Sequence, residues 1–364
     1  MMDKMKQGID VEGMATSLDM ATKDTASLKH YVEKAIPDSD GIKTFNDIPD
    51  QMPPILKKNC INRVLLFNGC FNPPHCGHLA LLSHVFHNCG EDLNVIVAIV
   101  LVASDEYLNW KYVREPKRHR FSEKQRMQLW DGALEKVNWC LVYPEARFYD
   151  FSSELSQSLN QDGYSLEFIR LAGGDAVSIS SQAHGRFGCR NLITSDICRR
   201  VDFFANGPAS LKTLKNHGPW RKIQPDPSAL QDRATESVSL SQRSQQSESR
   251  NHLPDIAGSE PPEIGFERSF DQEYSQSMST GMSTASARQI WVCNCTNRRW
   301  DYTIRFISSD QHLDAAISST NVRRILATTH IDQLEADLQG IALSPELLVQ
   351  FLRDKVIADG QAIN

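Results

Sequence analysis

Residues 94–103 read Asn-Val-Ile-Val-Ala-Ile-Val-Leu-Val-Ala, a near-continuous run of aliphatic and β-branched side chains. A strand with one wet face alternates polar and apolar residues. A strand that does not alternate must be covered on both faces, the situation of a central strand in a parallel sheet. The run is far too short to cross a bilayer as a helix, and no stretch of 18 apolar residues occurs elsewhere. The neighbouring sequence must therefore supply helices for both sides of a sheet.

It does so in alternation. Residues 64–67, 139–143, 166–172, 290–295 and 303–307 read as further strands, and residues 79–87, 151–159 and 345–355 as helices. Ser122-Glu123-Lys124-Gln125 has the pattern of a capping box opening a helix to about Val137, and Pro345 suits a first helical turn. A further helix follows from Thr320. Strands separated by helices of this size predict right-handed crossovers and an α/β fold, with a mostly parallel sheet and helices on both faces. Ligands of such sheets belong at the carboxyl ends of the strands.

The chain has 364 residues, of which 40% are apolar and 23% charged. Lys and Arg number 39 against 45 Asp and Glu, a formal net charge of −6, which argues against a whole-surface grip on nucleic acid. The first twenty residues mix charges and lack the apolar segment of a secretory signal. No membrane association is expected. Nine scattered cysteines, an odd number, suit a reducing compartment, here cytoplasm or nucleus. Cys293 and Cys295 form a Cys-x-Cys pair on an expected strand without further ligands at suitable spacing. They read as buried or half-buried thiols, and no protein metal site is expected.

Composition divides the chain. Residues 1–60 are polar, with one short helix expected at 27–35, and read as a mobile or loosely docked extension. Residues 61–205 and 289–364 carry the periodic pattern of one folded domain. Residues 206–288 change character: from 221 to 288, 14 of 68 residues are Ser, which predicts a long disordered insertion.

Chemistry concentrates in three places. Asn68-Gly69-Cys70-Phe71-Asn72-Pro73-Pro74-His75-Cys76-Gly77-His78 follows the strand at 64–67 and opens a helix. Gly69 lets the backbone turn tightly and approach a ligand, and the two prolines hold the loop out of helical conformation. His75 and His78 are three apart and share a face on a helical turn. Gly77 between them permits close packing. First-turn amides add unpaired donors and positive potential, so the set is suited to phosphate. Six fixed residues in G-x-F-x-P-x-H-x-G-H match by chance on the order of 10⁻⁸ per start position, at about one in twenty each.

Ile317-Ser318-Ser319-Thr320-Asn321-Val322-Arg323 is the second place. Ser319 or Thr320 can cap the following helix, with hydroxyls and amides open to phosphate oxygens. Arg323, one turn in, offers paired donors for a β- or γ-phosphate. The third is Leu171-Ala172-Gly173-Gly174-Asp175-Ala176, at the end of an expected strand, where a carboxylate can accept from hydroxyls.

The first stretch resembles the signature of the HxGH nucleotidyltransferase superfamily, and I-S-S-T-x-x-R resembles its second signature, in the expected order. The G-x-D segment resembles that of nicotinamide mononucleotide adenylyltransferases, and the similarity extends in order over about 61–205 and 289–355. The resemblance implies a Rossmann-like domain that transfers the adenylyl group of ATP to nicotinamide mononucleotide, giving NAD and pyrophosphate, with Mg²⁺ accompanying ATP. It implies catalytic roles for His75, His78 and Arg323. It implies ATP contacts from Gly69, Cys70, Phe71, Gly77, Asp175, Ser318, Ser319 and Thr320. Asn72 fits the acceptor side of the family loop. Lys111, Arg114, Lys117, Arg118 and Arg120 occupy the segment where relatives place a lysine for the acceptor phosphate, and Lys111 is taken as that residue.

The chain departs from the family where relatives stack the nicotinamide ring on tryptophans: it has Pro144-Glu145-Ala146 and His184-Gly185-Arg186-Phe187-Gly188, where Phe187 can offer a replacement face. Two other readings therefore stand beside the first. One is transfer to another phosphate acceptor or from CTP. The other is a nucleotide-binding interaction protein with little turnover.

Overall fold

The apolar run at 94–103 becomes strand β4 (Val95–Val102), whose last six residues are all buried. The computed structural model describes residues 24–223 and 289–358, apart from 38–40, 47, 49, 50, 52, 115–119, 181–185, 205–210, 298–301, 311 and 314–316. The Ser-rich stretch at 224–288 lies outside the described residues.

The other elements follow in chain order. A small antiparallel pair, β1 (Thr25–Ser27) and β2 (Ile55–Lys57), brackets helix α1 (Leu28–Ala35). Then come β3 (Ile61–Gly69), α2 (Cys76–Asn88), β4, α3 (Asp105–Lys111), α4 (Glu123–Ala133), β5 (Cys140–Pro144), α5 (Phe148–Gln161) and β6 (Ser165–Leu171). β7 (Asn191–Ser195), β8 (Arg221–Ile223), β9 (Ile290–Asn294) and β10 (Thr303–Ile307) complete the sheet. Three helices close the chain: α6 (Ser319–Thr328), α7 (Leu334–Leu338) and α8 (Pro345–Ala358).

The sheet has eight strands in the order β5-β4-β3-β6-β7-β10-β9-β8. Neighbours from β5 to β10 pair in parallel, and β9 and β8 add an antiparallel edge. Successive side chains of β4 serve opposite layers, which is why the run does not alternate. Val97, Ile99 and Leu101 pack with α1 and α5 residues on one face. Ala98, Val100 and Val102 pack with Leu82 and Val85 of α2 and Trp130 of α4 on the other. The fold is thus the expected Rossmann-like α/β sheet between helix layers. The chain leaves β3 toward β4 on one side and returns through β6 on the other. The C-terminal ends of β3 and β6 therefore form the switch point where such folds bind ligands.

Two expectations at the borders change. Part of the N-terminal segment is firmly docked rather than loose: Leu28 and Val32 are 1% exposed, and Tyr31 donates to the Asp162 carboxylate at 2.6 Å. Its spacing of Leu28, Tyr31, Val32 and Ala35 is one helical face, which packs in the layer of α5. At the far edge, Arg221–Ile223 belongs to the sheet as β8, paired with β9, although composition put it inside the insertion. All nine cysteines are unpaired, with Cys293 buried and Cys295 half-buried. No helix among the described residues is long and apolar enough to cross a membrane.

Candidate active site

β3 ends at Gly69, and the chain turns through Cys70 and Phe71 with Phe71 in the left-handed region at φ +46°. A Cβ on Gly69 would lie 2.9 Å from the Phe71 ring, so only glycine lets that ring fold back over the strand end. Phe71 then meets His78 edge-on at 5.0 Å. His75 is the N-cap of α2, and the His75 and His78 rings stack with centroids 3.6 Å apart. A Cβ on Gly77 would stand 3.0 Å from His75 Nδ1, so this glycine makes room for the stacked pair.

The His75 backbone N–H donates to His78 Nδ1 at 3.2 Å. Burial holds His78 well below the usual histidine range, and the neighbouring His75 ring and the charge of Arg199 add to the effect. Burial also lowers His75, to about 3. Both rings are therefore neutral at neutral pH. A neutral His78 that accepts at Nδ1 carries its proton on Nε2, which leaves it a donor for an anionic oxygen.

The second motif comes to the same place. Ser318 caps α6, its hydroxyl accepting from the Asn321 N–H at 3.2 Å. Ser319 donates to the Pro73 carbonyl at 2.9 Å, and Arg323 donates to the Asn72 carbonyl at 2.8 Å. The Arg323 guanidinium lies 4.9 Å over the Tyr112 ring. The loop before α2 is also sewn to the chain after α7: Cys76 N–H donates to the Ile341 carbonyl, and Leu343 N–H to the Pro74 carbonyl.

These elements enclose a cavity of about 440 Å³. Gly69, Cys70, Phe71, His75, Gly77, His78, Lys111, Asp175, Ser319, Thr320 and Arg323 line it. Among the described residues, Lys111, Arg170, Arg199 and Arg323 line it together with one carboxylate, Asp175. That is a strong local positive excess in a chain of net charge −6. Such a chamber concentrates anions. Burial pushes the Cys70 thiol up, so this cysteine is poorly suited to act as a nucleophile.

Three expected residues are placed elsewhere. Asn72 is 1% exposed and does not line the cavity: its side chain accepts from the Phe121 N–H at 2.9 Å, its carbonyl holds Arg323, and it braces the wall from behind. Ser318 is spent on the helix cap. Phe187 lies in a neighbouring groove with Ser104, Tyr107, Glu145, Tyr149 and Arg186, beyond the ends of β4 and β5. Its ring packs edge-on against Phe148 at 5.4 Å and is 7% exposed. Lys117, Arg118, His184 and Gly185 lie outside the described residues.

Sequence reading missed Asn68, Tyr112, Arg170, Cys198 and Arg199 as cavity residues. Arg170 sits near the end of an expected strand. Cys198 and Arg199 follow β7, a five-residue strand whose recognition would have put Arg199 at a carboxyl end. A buried brace was missed as well. Arg126, with no exposed surface, donates to the Phe121 carbonyl at 2.9 Å, the Cys70 carbonyl at 2.8 Å and the Asp105 carboxylate at 2.7 Å.

At the switch point of a parallel sheet, an HxGH turn and a capped helix with an inward arginine thus share one cationic chamber, a lining suited to phosphate. Residues 66–195 match the family model described as cytidylyltransferase-like, which supports the HxGH nucleotidyltransferase superfamily and a nucleotidyltransferase activity. No curated protein matches the chain. The second motif lies beyond the matched residues, and geometry alone joins it to the first.

Proposed function

We propose that the protein transfers the adenylyl group of ATP to nicotinamide mononucleotide, forming NAD and pyrophosphate. One observation carries the reading: His75 and His78 at one wall and Ser319, Thr320 and Arg323 at the other line a single cavity with a fourfold cationic lining.

The acceptor phosphate attacks the α-phosphorus in line, and pyrophosphate leaves. No side chain forms a covalent intermediate; catalysis is positioning and charge stabilisation. His78 Nε2–H donates to the α-phosphate oxygens as charge builds there, and His75 contacts the adjacent phosphates. Arg323, Ser319 and Thr320 stabilise the departing pyrophosphate. Asp175 accepts from ribose hydroxyls, and Lys111 meets the acceptor phosphate. Mg²⁺ would accompany the nucleotide and would supply charge neutralisation to the phosphates.

The groove holding Phe187 supports a ring-bearing acceptor. It encloses about 500 Å³ and offers Tyr107 and Tyr149 side chains as stacking faces. Glu145 stands at its edge and reaches the Asn68 side chain of the phosphate cavity, so the two spaces adjoin.

The test is direct. The purified protein is mixed with Mg-ATP and nicotinamide mononucleotide, and NAD and pyrophosphate are measured in equal amounts. CTP and a panel of other phosphate monoesters are run in parallel. Product from another donor or acceptor, with none from this pair, refutes the substrate assignment. Tight ATP binding with no product from any pair refutes the enzyme and supports a nucleotide-binding interaction protein.

A further inference from the structure

We propose that Arg199 is a polyphosphate-binding residue parked on Asp175, released to the phosphates when the ribose hydroxyls of a nucleotide occupy that carboxylate. The proposal rests on the reading of the cavity as a nucleoside triphosphate site and adds to it an exchange that binding must perform.

Arg199 and Asp175 both line the cavity, and their guanidinium and carboxylate are 2.6 Å apart. The contact is built into the backbone. A Cβ on Gly173 would stand 2.7 Å from Asp175 Oδ1, so glycine lets the carboxylate fold back. A Cβ on Gly174 would stand 3.0 Å from the Arg199 carbonyl and 3.3 Å from the Ser195 carbonyl. Glycine there brings the turn after β6 against the turn after β7. The neighbouring residue is tied to the first motif, with the Cys198 thiol donating to the Gly77 carbonyl at 2.8 Å. Arg199 is therefore anchored by its backbone between the HxGH turn and the G-x-D turn. Its charge reaches both imidazoles, contributing to the lowering of each.

The side chains, unlike the backbone, are free to change partner. They are 54% and 59% exposed. An exposed pair of this kind shifts an equilibrium by about fivefold or less. A polyphosphate carries several charges and matches the guanidinium fork with two parallel hydrogen bonds, so it outcompetes a single hydrated carboxylate. The pairing also answers an electrostatic problem. A bare carboxylate in an anion-binding chamber repels phosphate. Arg199 neutralises it while the chamber is empty, and hydroxyl donors satisfy it once a ribose is bound. No bond forms or breaks and no proton moves.

Calorimetric titration of the full chain tests the exchange, with pyrophosphate, which has no ribose, and Mg-ATP as probes. Arg199→Ala is expected to weaken pyrophosphate binding by about tenfold or more, the loss of a charge-assisted hydrogen bond, with Arg199→Lys recovering part of it. Asp175→Asn is expected to tighten pyrophosphate binding several-fold, because it frees Arg199, while weakening Mg-ATP. In the Arg199→Ala background that gain should shrink, leaving only the relief of repulsion from the carboxylate. An equal gain in both backgrounds would show simple removal of a repelling charge and overturn the exchange, as would unchanged pyrophosphate binding in Arg199→Ala. If the unaltered protein binds neither probe, the triphosphate reading itself fails. Absent NAD synthesis with these couplings intact removes only the substrate assignment.

Discussion

The Arg323 guanidinium donates to the Asn72 carbonyl at 2.8 Å across 251 positions of sequence. The residue proposed to serve the leaving pyrophosphate thus also holds the loop that carries the histidines. Arg323→Ala should lower turnover by about 10²–10³, the usual effect of removing one transition-state donor. Arg323→Lys should recover little, because a lysine cannot donate to the carbonyl and to phosphate with one rigid fork. Steady-state kinetics with both variants checks this, and near-normal turnover in Arg323→Ala would remove Arg323 from the mechanism.

His78→Ala should likewise cost about 10²–10³ in turnover while circular dichroism remains unchanged. A variant with near-normal activity would argue against the assigned role.

The stacked imidazoles make stability depend on pH. Unfolded histidine takes its proton near pH 6.5, whereas buried His75 does so only at about 3. Protons therefore bind the unfolded chain first, and stability present above pH 6.5 is lost as pH falls toward 3, at up to about 1.4 kcal/mol per pH unit per proton. Melting temperature measured from pH 7.5 to pH 5 should fall, and His75→Gln should flatten the curve. An unchanged slope in His75→Gln would show that this ring is not the source.

Gly77→Ala should separate activity from stability. Its Cβ would sit 3.0 Å from His75 Nδ1 and 3.1 Å from Cε1, forcing the ring from its stack. As the second residue of α2, Gly77 is at a position where alanine is otherwise favourable by at most about 1 kcal/mol. The expected outcome is a drop in turnover of about tenfold or more with little change in melting temperature, since a small misplacement of a catalytic group is costly.

The docked N-terminal helix gives a stability test. Leu28 is 1% exposed, and Leu28→Ala should cost about 2–5 kcal/mol in urea denaturation. Trp110, 73% exposed, should change stability by no more than about 0.5 kcal/mol when replaced by alanine. Equal effects would contradict the docking of α1.

The elements legible in sequence were those with strong local patterns. The strand at 303–307 coincides with β10, and the Ser122 capping box is formed, its hydroxyl accepting from Gln125 N–H at 3.2 Å. β7 was not legible because Asn-Leu-Ile-Thr-Ser is short and carries no strict period. It is a strand because β6 and β10 pair with it on either side. α3 is only seven residues long, and its exposed Tyr107 and Trp110 hide any amphipathic stripe.

The sequence alone determined the strand–turn–helix chemistry at 68–78 and 317–323, because glycine, proline and capping preferences act within a few bonds of the residues that express them. It also determined the double-faced sheet, because an unbroken apolar run leaves no side for water. Only the tertiary structure decided which of those residues share a chamber. It turned Asn72 inward as a brace and set Phe187 in an adjoining groove. It brought Arg199, from a strand without a signature, against Asp175. Such placements depend on hydrogen bonds and packing between segments far apart in the chain, and no local pattern encodes the partner.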